Sequence, residues 1–482
     1  MKKRTKIVAT LGPATDRPGV LEAIVAAGVD VVRINFSHGV REDHLRRVRD
    51  VREAATRAVR DVGVLGDLQG PKIRIERFRD GPVELEEGAP FTLDASLAED
   101  AGTSRAVGVT YKALPGDVAA GDVLLLNDGA ITLSVDRVDG PRVECTVEVG
   151  GELSDAKGIN RQGGGLSAGA LTEKDRADIA CAAELDLDFL AVSFPRCAAD
   201  MEEARRLLMD AGGRALLVAK IERAEAVGSI DDITEASDVV MVARGDLGVE
   251  IGFAEVPGVQ KNIIRAARAK NRVVITATQM MESMIHEPIP TRAEVSDVAN
   301  AVIDGTDAVM LSAETAVGRY PVKAVHAMAS ACRAAETQPV VTQSTHRMDD
   351  VFIRTDEAIA MATMYTANHM NVTAIVALTE SGNTALWMSR ISSRIPIYAF
   401  SRREETRRRV ALYRGVYPIP FDVLHDGGRE GFDAVCRTLL DRGLASEGDR
   451  ILFTEGYEAG VAGGTNTMKI LQIRRPGGQG GL

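Results

Sequence analysis

Residues 189–314 contain five short apolar runs that end in polar or charged residues: FLAVSFP (189–195), ALLVAKIE (215–222), VVMVARGD (239–246), VVITATQ (273–279) and DAVMLSAE (307–314). An amphipathic helical stretch follows each run, a pattern typical of strand–helix units in a parallel sheet. Three similar runs precede them: KIVATLG (6–12), VVRINF (31–36) and GVLGDLQ (63–69). Eight such units predict an α/β fold, a closed (β/α)8 TIM barrel, whose chemistry lies at the carboxyl ends of the strands.

The strand–helix rhythm stops after the third run and changes again near residue 341. Residues 71–167 are strand-like and rich in turns, which predicts an inserted β-barrel-like domain, with the glycines at 163–165 as its return hinge. A second α/β rhythm has predicted strands at 374–379, 395–400, 415–419, 450–455 and 467–474. We therefore predict a catalytic barrel (1–70 and 168–340), a lid (71–167) and a C-terminal doubly wound α/β regulatory domain (341–482).

The composition predicts a cytoplasmic enzyme. The 482 residues carry a net charge of −11 without long runs of one sign, so we expect neither a nucleic-acid partner nor a membrane partner. The five cysteines include no C-x-x-C pair, which is typical of free thiols in a reducing compartment. The apolar run near the start is too short for a signal peptide, and no run of about eighteen apolar residues follows.

Polar side chains lie at the predicted strand ends. Side chains alternate along a strand, so three sets should each share one side: Arg33, Asn35 and Ser37; Lys220 and Glu222; Arg244 and Asp246. Such a charged cluster is costly to bury unless it is paired or holds a metal or an anion. A structural salt-bridge network is the alternative, but Asp67 and Thr278 end two further strands at the same level, which favours a site.

Two carboxylates and two cations in this cluster suit phosphoryl transfer. Glu222 and Asp246 offer hard oxygens without a full protein cage, as Mg²⁺ requires when substrate and water complete its coordination. Lys220 and Arg33 would supply fixed positive charge as negative charge spreads over the phosphoryl oxygens. The segment 244–248, RGDLG, is either a helix start whose backbone N–H groups seat a carboxylate or an ordinary tight turn.

Longer segments around these residues resemble pyruvate kinase. They are TKIVATLGPAT, VVRINFSHG, DLQGPKIR, KGIN, LLVAKIE, VARGDLGVE, TATQMMESM, PTRAEVSDVANAV and DAVMLSAETA, in this order. The resemblance covers residues 5 to about 330 and continues more weakly through TESGNTA and TNTMKI. It implies phosphoryl transfer from phosphoenolpyruvate to ADP, the last step of glycolysis, with Mg²⁺ or Mn²⁺. It also implies a homotetramer with Arg292 near a subunit boundary.

The resemblance assigns roles residue by residue. It implies catalytic roles for Lys220, Arg33 and Thr278, and Mg²⁺ ligation by Glu222 and Asp246. It implies substrate binding by Arg33, Lys220, Gly245, Asp246 and Thr278, with Thr278 as candidate for a water-relayed protonation of the enolate. Arg74 and Lys157 match nucleotide-phosphate contacts. Asn35, Ser37, Asp67 and the backbone of Leu68 match a monovalent-cation site.

Lys72 departs from the best-known form of the family. Many pyruvate kinases carry Glu in this slot of the G-P-E-I-R motif and require K⁺, whereas this chain reads GPKIR (70–74). A tethered ammonium can supply the charge of a bound K⁺, so we predict that Lys72 belongs to the monovalent-cation site and that K⁺ is not required. Leu68 agrees, because K⁺-requiring members tend to carry Thr there. A solvated Lys72 that points away is the alternative.

The loop TESGNT (379–384) is rich in hydroxyl groups and follows a predicted strand, which would suit a phosphate. In the family this loop binds the phosphate of an activator, which implies contacts from Thr379, Ser381, Asn383 and Thr384; an ordinary helix cap is the alternative. The closing segment GYEAGVAGGTN (456–466) lacks the aromatic and basic residues of members regulated by fructose bisphosphate. We therefore expect a nucleoside or pentose monophosphate as activator.

Two other functions are compatible with a barrel of this kind. One is an aldolase that forms an imine on Lys220, but the neighbouring carboxylates would keep that amine protonated. The other is a catalytically inactive ligand sensor, although every residue of the motifs is present. Borohydride trapping with pyruvate separates the aldolase from the kinase, and a coupled assay with phosphoenolpyruvate, ADP and Mg²⁺ is the most informative single experiment.

Overall fold

The computed structural model describes residues 3–342, 351–421, 429–456 and 463–474. Eight parallel strands close into a barrel, which confirms the predicted fold class. They are Lys6–Thr10, Val31–Asn35, Gly63–Asp67, Phe189–Val192, Leu216–Ile221, Val239–Ala243, Val273–Ala277 and Ala308–Leu311. Strands such as Val239–Ala243 are buried throughout, which is why they read as continuous apolar runs in the sequence.

Helices surround the barrel and bury their apolar faces against the strands. The α-helices are Val20–Ala27, Arg41–Arg57, Glu173–Glu184, Ala198–Asp210, Ala224–Gly228, Ile230–Ala236, Arg244–Ile251, Val256–Ala269, Arg292–Asp304, Ala313–Ala316 and Pro321–Ala335, with 3₁₀ turns at Glu282–Ile285 and Pro339–Val341. Thr172 and Thr291 each accept a hydrogen bond from the backbone N–H three residues later. These capping boxes fix where two of the helices begin.

The insertion after the third strand is a β structure, as predicted. A six-stranded sheet contains Ile159–Arg161, Val123–Leu126, Ile131–Asp139, Arg142–Val149, Pro90–Asp94 and Ala106–Gly108, in that spatial order, and a two-stranded sheet pairs Gly151–Leu153 with Val83–Leu85. The short helix Leu114–Asp117 belongs to the same segment. The three glycines at 163–165 have positive φ of 81°, 81° and 96°, which residues with a β-carbon rarely adopt. This backbone suits the predicted return hinge.

The C-terminal part is a five-stranded sheet with helices. From one edge the strands are Val416–Pro420, Ile397–Ser401, Ala374–Leu378, Arg450–Gly456 and Thr465–Gln472, the last antiparallel to its neighbour. The helices are Thr355–His369, Asn383–Ser389, Glu404–Val410 and Arg429–Asp441. One apolar cluster joins barrel residues such as Val31 and Phe189 to Ile375 and Met388 of this part. The C-terminal sheet is therefore packed on the barrel.

Candidate active site

Lys220 lies in a buried charge network near the carboxyl ends of the barrel strands. Its Nζ is 2.9 Å from Glu222 Oε1 and 3.3 Å from Asp67 Oδ1, and it donates a hydrogen bond to Ser193 Oγ at 2.7 Å. Burial opposes the charge of this ammonium, but Asp67 and Glu222 raise its pKa above the usual value. Lys220 is thus a fixed cation, which disfavours the imine chemistry of an aldolase.

Arg33 reaches the same network through Asp67. Its Nε donates to Asp67 Oδ2 at 2.5 Å, and its Nη1 donates to Thr10 Oγ1 at 3.2 Å. Burial alone would raise the pKa of Asp67, but Arg33 and Lys220 together lower it below its usual value. Asp67 therefore stays ionised and holds both cations in place.

Glu222 and Asp246 lie close enough for their charges to interact. Glu222 is buried and its Oε2 accepts a hydrogen bond from Phe194 N at 2.9 Å. The pKa of Glu222 lies above its usual value. Burial and the nearby carboxylate of Asp246 raise this pKa, and together they outweigh Lys220, which lowers it. Within the described ranges no cluster of three or more His, Cys, Asp or Glu side chains is arranged to hold a metal. Two hard oxygen donors fit Mg²⁺, provided that substrate and water complete its coordination.

The expectation that Arg244 and Asp246 share one side of a strand is wrong, because the strand ends at Ala243 and a helix begins at Arg244. The buried guanidinium of Arg244 instead donates to the carbonyl of Thr278 at 2.7 Å and pairs with Asp297 at 2.7 Å. Arg244 therefore fixes the turn that follows the seventh barrel strand.

That turn holds Thr278 in an unusual conformation. Its φ is 69° and that of Gln279 is 53°, and a β-branched residue rarely adopts such values. The Thr278 hydroxyl donates to the carbonyl of Ala277 at 2.6 Å and accepts from the backbone N–H of Gly245 at 2.8 Å. The hydroxyl is thereby oriented beside the start of the helix that carries Asp246.

The residues matched to a monovalent-cation site lie on two neighbouring strand ends. Asn35 lies opposite Asp67 in the barrel register, and its Oδ1 accepts from the backbone N–H of Ser37 at 3.0 Å. The carbonyl of Leu68 accepts from Ser193 Oγ at 2.7 Å. These residues are therefore close together, as the resemblance implies.

Lys72, which we predicted to belong to the monovalent-cation site, contacts two carboxylates outside the set of residues matched to that site. Its Nζ donates to Asp246 Oδ1 at 2.9 Å and is 3.9 Å from Asp128 Oδ1. Its side chain is 25% exposed, so it is not the fully solvated lysine of the alternative. In this structure its ammonium pairs with the predicted metal ligand Asp246, and Asp67 is paired with Arg33 and Lys220.

Arg74 and Lys157 lie on adjacent connections between the barrel and the inserted sheets. Arg74 forms a β-bridge with Gly158, and its Nη1 donates to the carbonyl of Ala156 at 2.8 Å. A β-carbon at Gly158 would lie 3.3 Å from the Lys72 side chain. The Lys157–Gly158 segment therefore borders the mouth of the barrel.

Sequence reasoning missed Ser193. Its hydroxyl contacts Lys220, and it donates to the carbonyl of Leu68. It follows the strand Phe189–Val192, so its place at a strand end was a usable signal.

Comparisons with known proteins agree over nearly the whole chain. The protein-family model for the pyruvate kinase barrel domain matches residues 2–325. The family model for the pyruvate kinase alpha/beta domain matches residues 357–471. A protein of Salmonella typhimurium named pyruvate kinase II is 58% identical over 475 residues, which cover 98% of this chain and 99% of the relative. Pyruvate kinases of Haemophilus influenzae and Geobacillus stearothermophilus are 56% and 42% identical, over 98% of this chain and 99% and 80% of theirs.

The chain belongs to the pyruvate kinase family. It is accordingly a phosphotransferase.

All five of its cysteines are free. The described residues include no helix that is both long and apolar enough to cross a membrane.

The predicted effector loop of this pyruvate kinase follows the strand Ala374–Leu378. Thr379 Oγ1 accepts from the backbone N–H of Gly382 at 2.8 Å, and the hydroxyls of Thr384 and Thr465 are 2.6 Å apart. Ser381 Oγ accepts from the backbone N–H of Asn383 at 3.4 Å. Residues 457–462 of the closing segment lie outside the described residues.

Glu250 connects the inserted sheets of this pyruvate kinase to its barrel. Its Oε2 accepts from the backbone N–H of Ala224 at 2.9 Å, and its Oε1 accepts from Asn160 Nδ2 at 3.3 Å. Burial, reinforced by Glu225 and opposed by the Ala224 hydrogen bond, raises the pKa of Glu250 to about 7. The folded protein therefore binds a proton here that an unfolded glutamate releases above about pH 4.5.

We expect Glu250→Gln to flatten the dependence of unfolding free energy on pH. The raised pKa contributes stability that is fully present below about pH 4.5 and is lost as pH rises through about 7. The loss amounts to about 3 kcal/mol at most and should disappear in the glutamine variant. Chemical denaturation between pH 5 and 8 measures it, with the exposed Glu152→Gln as control. Equal slopes in wild type and Glu250→Gln would contradict the role of Glu250.

Proposed function

We propose that this pyruvate kinase transfers the phosphoryl group of phosphoenolpyruvate to ADP at the network around Lys220. The observation that carries the proposal is a buried ammonium that Asp67 and Glu222 keep protonated. A preorganised cation in a water-poor site stabilises the charge that develops on the phosphoryl oxygens and needs no reorganisation to do so. Arg33, held by the same Asp67, supplies a second fixed charge.

The proposed roles follow the residues that the structure brings together. Glu222 and Asp246 would hold Mg²⁺, or Mn²⁺, which when bound supplies positive charge to substrate oxygens. Gly245, Asp246 and Thr278 would bind the pyruvate moiety. The oriented Thr278 hydroxyl, donating to Ala277 and accepting from Gly245, supports a part in protonating the enolate through water.

Arg74 and Lys157 would bind the phosphates of the nucleotide. Both lie where the inserted sheets join the barrel, and closure of those sheets would complete the site and exclude water. We propose that the barrel comprises residues 1–70 and 168–340, the lid 71–167 and the regulatory domain 341–482. Glycines with positive φ at 163–165 support the second lid boundary.

We also propose that the enzyme does not require K⁺. Support comes from Lys72, whose ammonium lies in the mouth of the barrel beside Asp246. Asp67, the carboxylate matched to the monovalent-cation site, is already paired with Arg33 and Lys220. Side chains thus supply the positive charge that a bound K⁺ would otherwise bring. Because they are covalently attached, they lose no translational freedom in doing so.

Activity without K⁺ and Na⁺, in a buffer whose ionic strength comes from a bulky organic cation, is expected to stay within about twofold of that with K⁺. Lys72→Glu should create a K⁺ requirement, because it reverses the charge beside Asp246. The coupled assay with phosphoenolpyruvate, ADP and Mg²⁺ measures both. Lys112→Glu, an exposed lysine of the inserted segment, is the control. Strong activation of the wild type by K⁺ would refute the proposal.

We propose that a phosphorylated metabolite activates the enzyme at Thr379, Ser381, Asn383 and Thr384. The loop lies where the strand order of the C-terminal sheet reverses, between Ala374–Leu378 and Arg450–Gly456. Ligands of doubly wound sheets bind at such switch points. Thr465 adds a hydroxyl beside Thr384.

AMP or ribose 5-phosphate is expected to lower the phosphoenolpyruvate concentration at half-saturation by about 5-fold or more, and fructose 1,6-bisphosphate should act less. Saturation curves with each compound measure this shift. Thr384→Val should abolish it without changing activity at saturating phosphoenolpyruvate. If neither monophosphate nor glucose 6-phosphate moves the curve of the wild type, the loop is a helix cap alone.

A cytoplasmic homotetramer completes the proposal. The helix Arg292–Asp304 exposes the apolar side chains of Val295 and Ile303, and Ile289 just before it is 72% exposed. Exposed apolar groups around Arg292 support a subunit boundary there. Analytical ultracentrifugation tests the state of assembly.

A further inference from the structure

A small cavity lies between the barrel and the C-terminal sheet, and its lining includes no residue of the proposed active site. Its volume is about 20 Å³. Four arginines and one carboxylate contribute to its lining: Arg4, Arg268, Arg390, Arg414 and Asp307. Such a concentration of positive charge stands out in a chain with a net charge of −11.

The carboxylates near the cavity are already committed to other groups. Asp307 Oδ2 accepts from Arg390 Nη1 and from the backbone N–H of Val274, both at 2.9 Å, and Oδ1 accepts from Arg390 Nη2. Glu336 accepts from the backbone N–H of Arg4 at 2.9 Å and from that of Thr5 at 2.5 Å. The two carboxylates therefore do not neutralise the positive charge of all four surrounding guanidinium groups.

Two of the arginines that line this cavity each have a buried guanidinium nitrogen without a hydrogen-bond partner among the described residues. Arg414 Nη2 and Arg4 Nε have no hydrogen-bond partner within the part of the chain that the structure describes. Arg4 Nε is 3.8 Å from Glu336 Oε2, which is too long for a hydrogen bond. Burial, with repulsion from Arg268 and Arg4, lowers the pKa of Arg414 to about 10, so the group is still charged at neutral pH. An unpaired buried cation and donor is costly.

We propose that this cavity binds one chloride ion, which accepts hydrogen bonds from Arg414 Nη2 and Arg4 Nε. The small volume of about 20 Å³ favours a monatomic anion over phosphate, sulfate or a carboxylate ligand. A water molecule would fit and accept the hydrogen bonds. It would leave the excess positive charge of the cluster uncompensated, whereas a halide supplies both acceptor and charge.

The ion would strengthen the contact between two parts of the fold. Arg4 and Arg268 belong to the barrel, and Arg390 and Arg414 belong to the C-terminal part. Arg390 Nη1 donates to the carbonyl of Arg272 at 2.7 Å, and Arg268 Nη2 donates to the carbonyl of Arg390 at 3.0 Å. Chloride bound among these groups stabilises the docked arrangement, since a ligand of the folded state raises its stability by mass action.

Bromide replacement in crystals of the full chain tests the site directly, because bromide is located by its anomalous scattering. We expect one peak within hydrogen-bond distance of Arg414 and Arg4. The thermal midpoint should also rise with chloride, by roughly 2 °C for each tenfold increase above its dissociation constant, when potassium gluconate is exchanged for potassium chloride at constant ionic strength.

Arg414→Gln should lose the chloride dependence of the thermal midpoint, because it keeps a donor and removes the charge. Arg49→Gln, an exposed arginine, should retain it. If Arg414→Gln does not fold, the crystal experiment and the salt exchange on the wild type decide. A cavity that holds only water, or a bromide peak without any chloride-specific rise in the midpoint, overturns the proposal.

Discussion

Lys220→Met is expected to lower kcat by about 10³-fold or more, while phosphoenolpyruvate binds within about tenfold of its wild-type affinity. The ammonium counts most as charge develops in the transition state, so chemistry should suffer more than ground-state binding. Steady-state rates give the first quantity. Equilibrium dialysis of phosphoenolpyruvate gives the second.

Removal of this ammonium also leaves Asp67 and Glu222 buried without one partner each, so stability must be measured alongside activity. Lys220→Arg keeps the charge and separates lost charge from a damaged fold. Lys270→Met, at a surface lysine, controls for the substitution itself. A folded Lys220→Met enzyme with wild-type turnover would remove Lys220 from the mechanism.

The barrel could be predicted because parallel strands covered on both faces read as uninterrupted apolar runs. Each of the eight predicted runs overlaps a barrel strand, and the five predicted C-terminal strands are also present. Errors occur at strand ends. The predicted run at 239–246 is longer than its strand, which ends at Ala243, and a helix begins at Arg244. The inference that Arg244 and Asp246 share one side of a strand was wrong for this reason.

Much of the candidate site followed from strand ends alone, since these meet at one edge of a closed barrel. Contacts made by long side chains did not follow. The ammonium of Lys72 donates a hydrogen bond to Asp246. No local sequence pattern encodes which of several carboxylates a flexible lysine will contact. The left-handed backbone of Thr278 was also invisible, because the tertiary contact with Arg244 maintains it against local preference.

Glu222→Gln and Asp246→Asn are each expected to raise the Mg²⁺ concentration for half-maximal activity by about tenfold or more and to lower maximal activity by about 10²-fold. A neutral amide keeps one oxygen but loses the charge that holds a hard cation. Direct Mn²⁺ binding, followed by the electron paramagnetic resonance signal of the free ion, gives a readout independent of turnover.

Asp210→Asn, which changes an exposed carboxylate, should match wild type in both measurements. Each carboxylate also pairs with a lysine, Asp246 with Lys72 and Glu222 with Lys220, so metal binding and turnover must be measured separately in both variants. Wild-type metal dependence in both variants would mean that the ligands lie elsewhere.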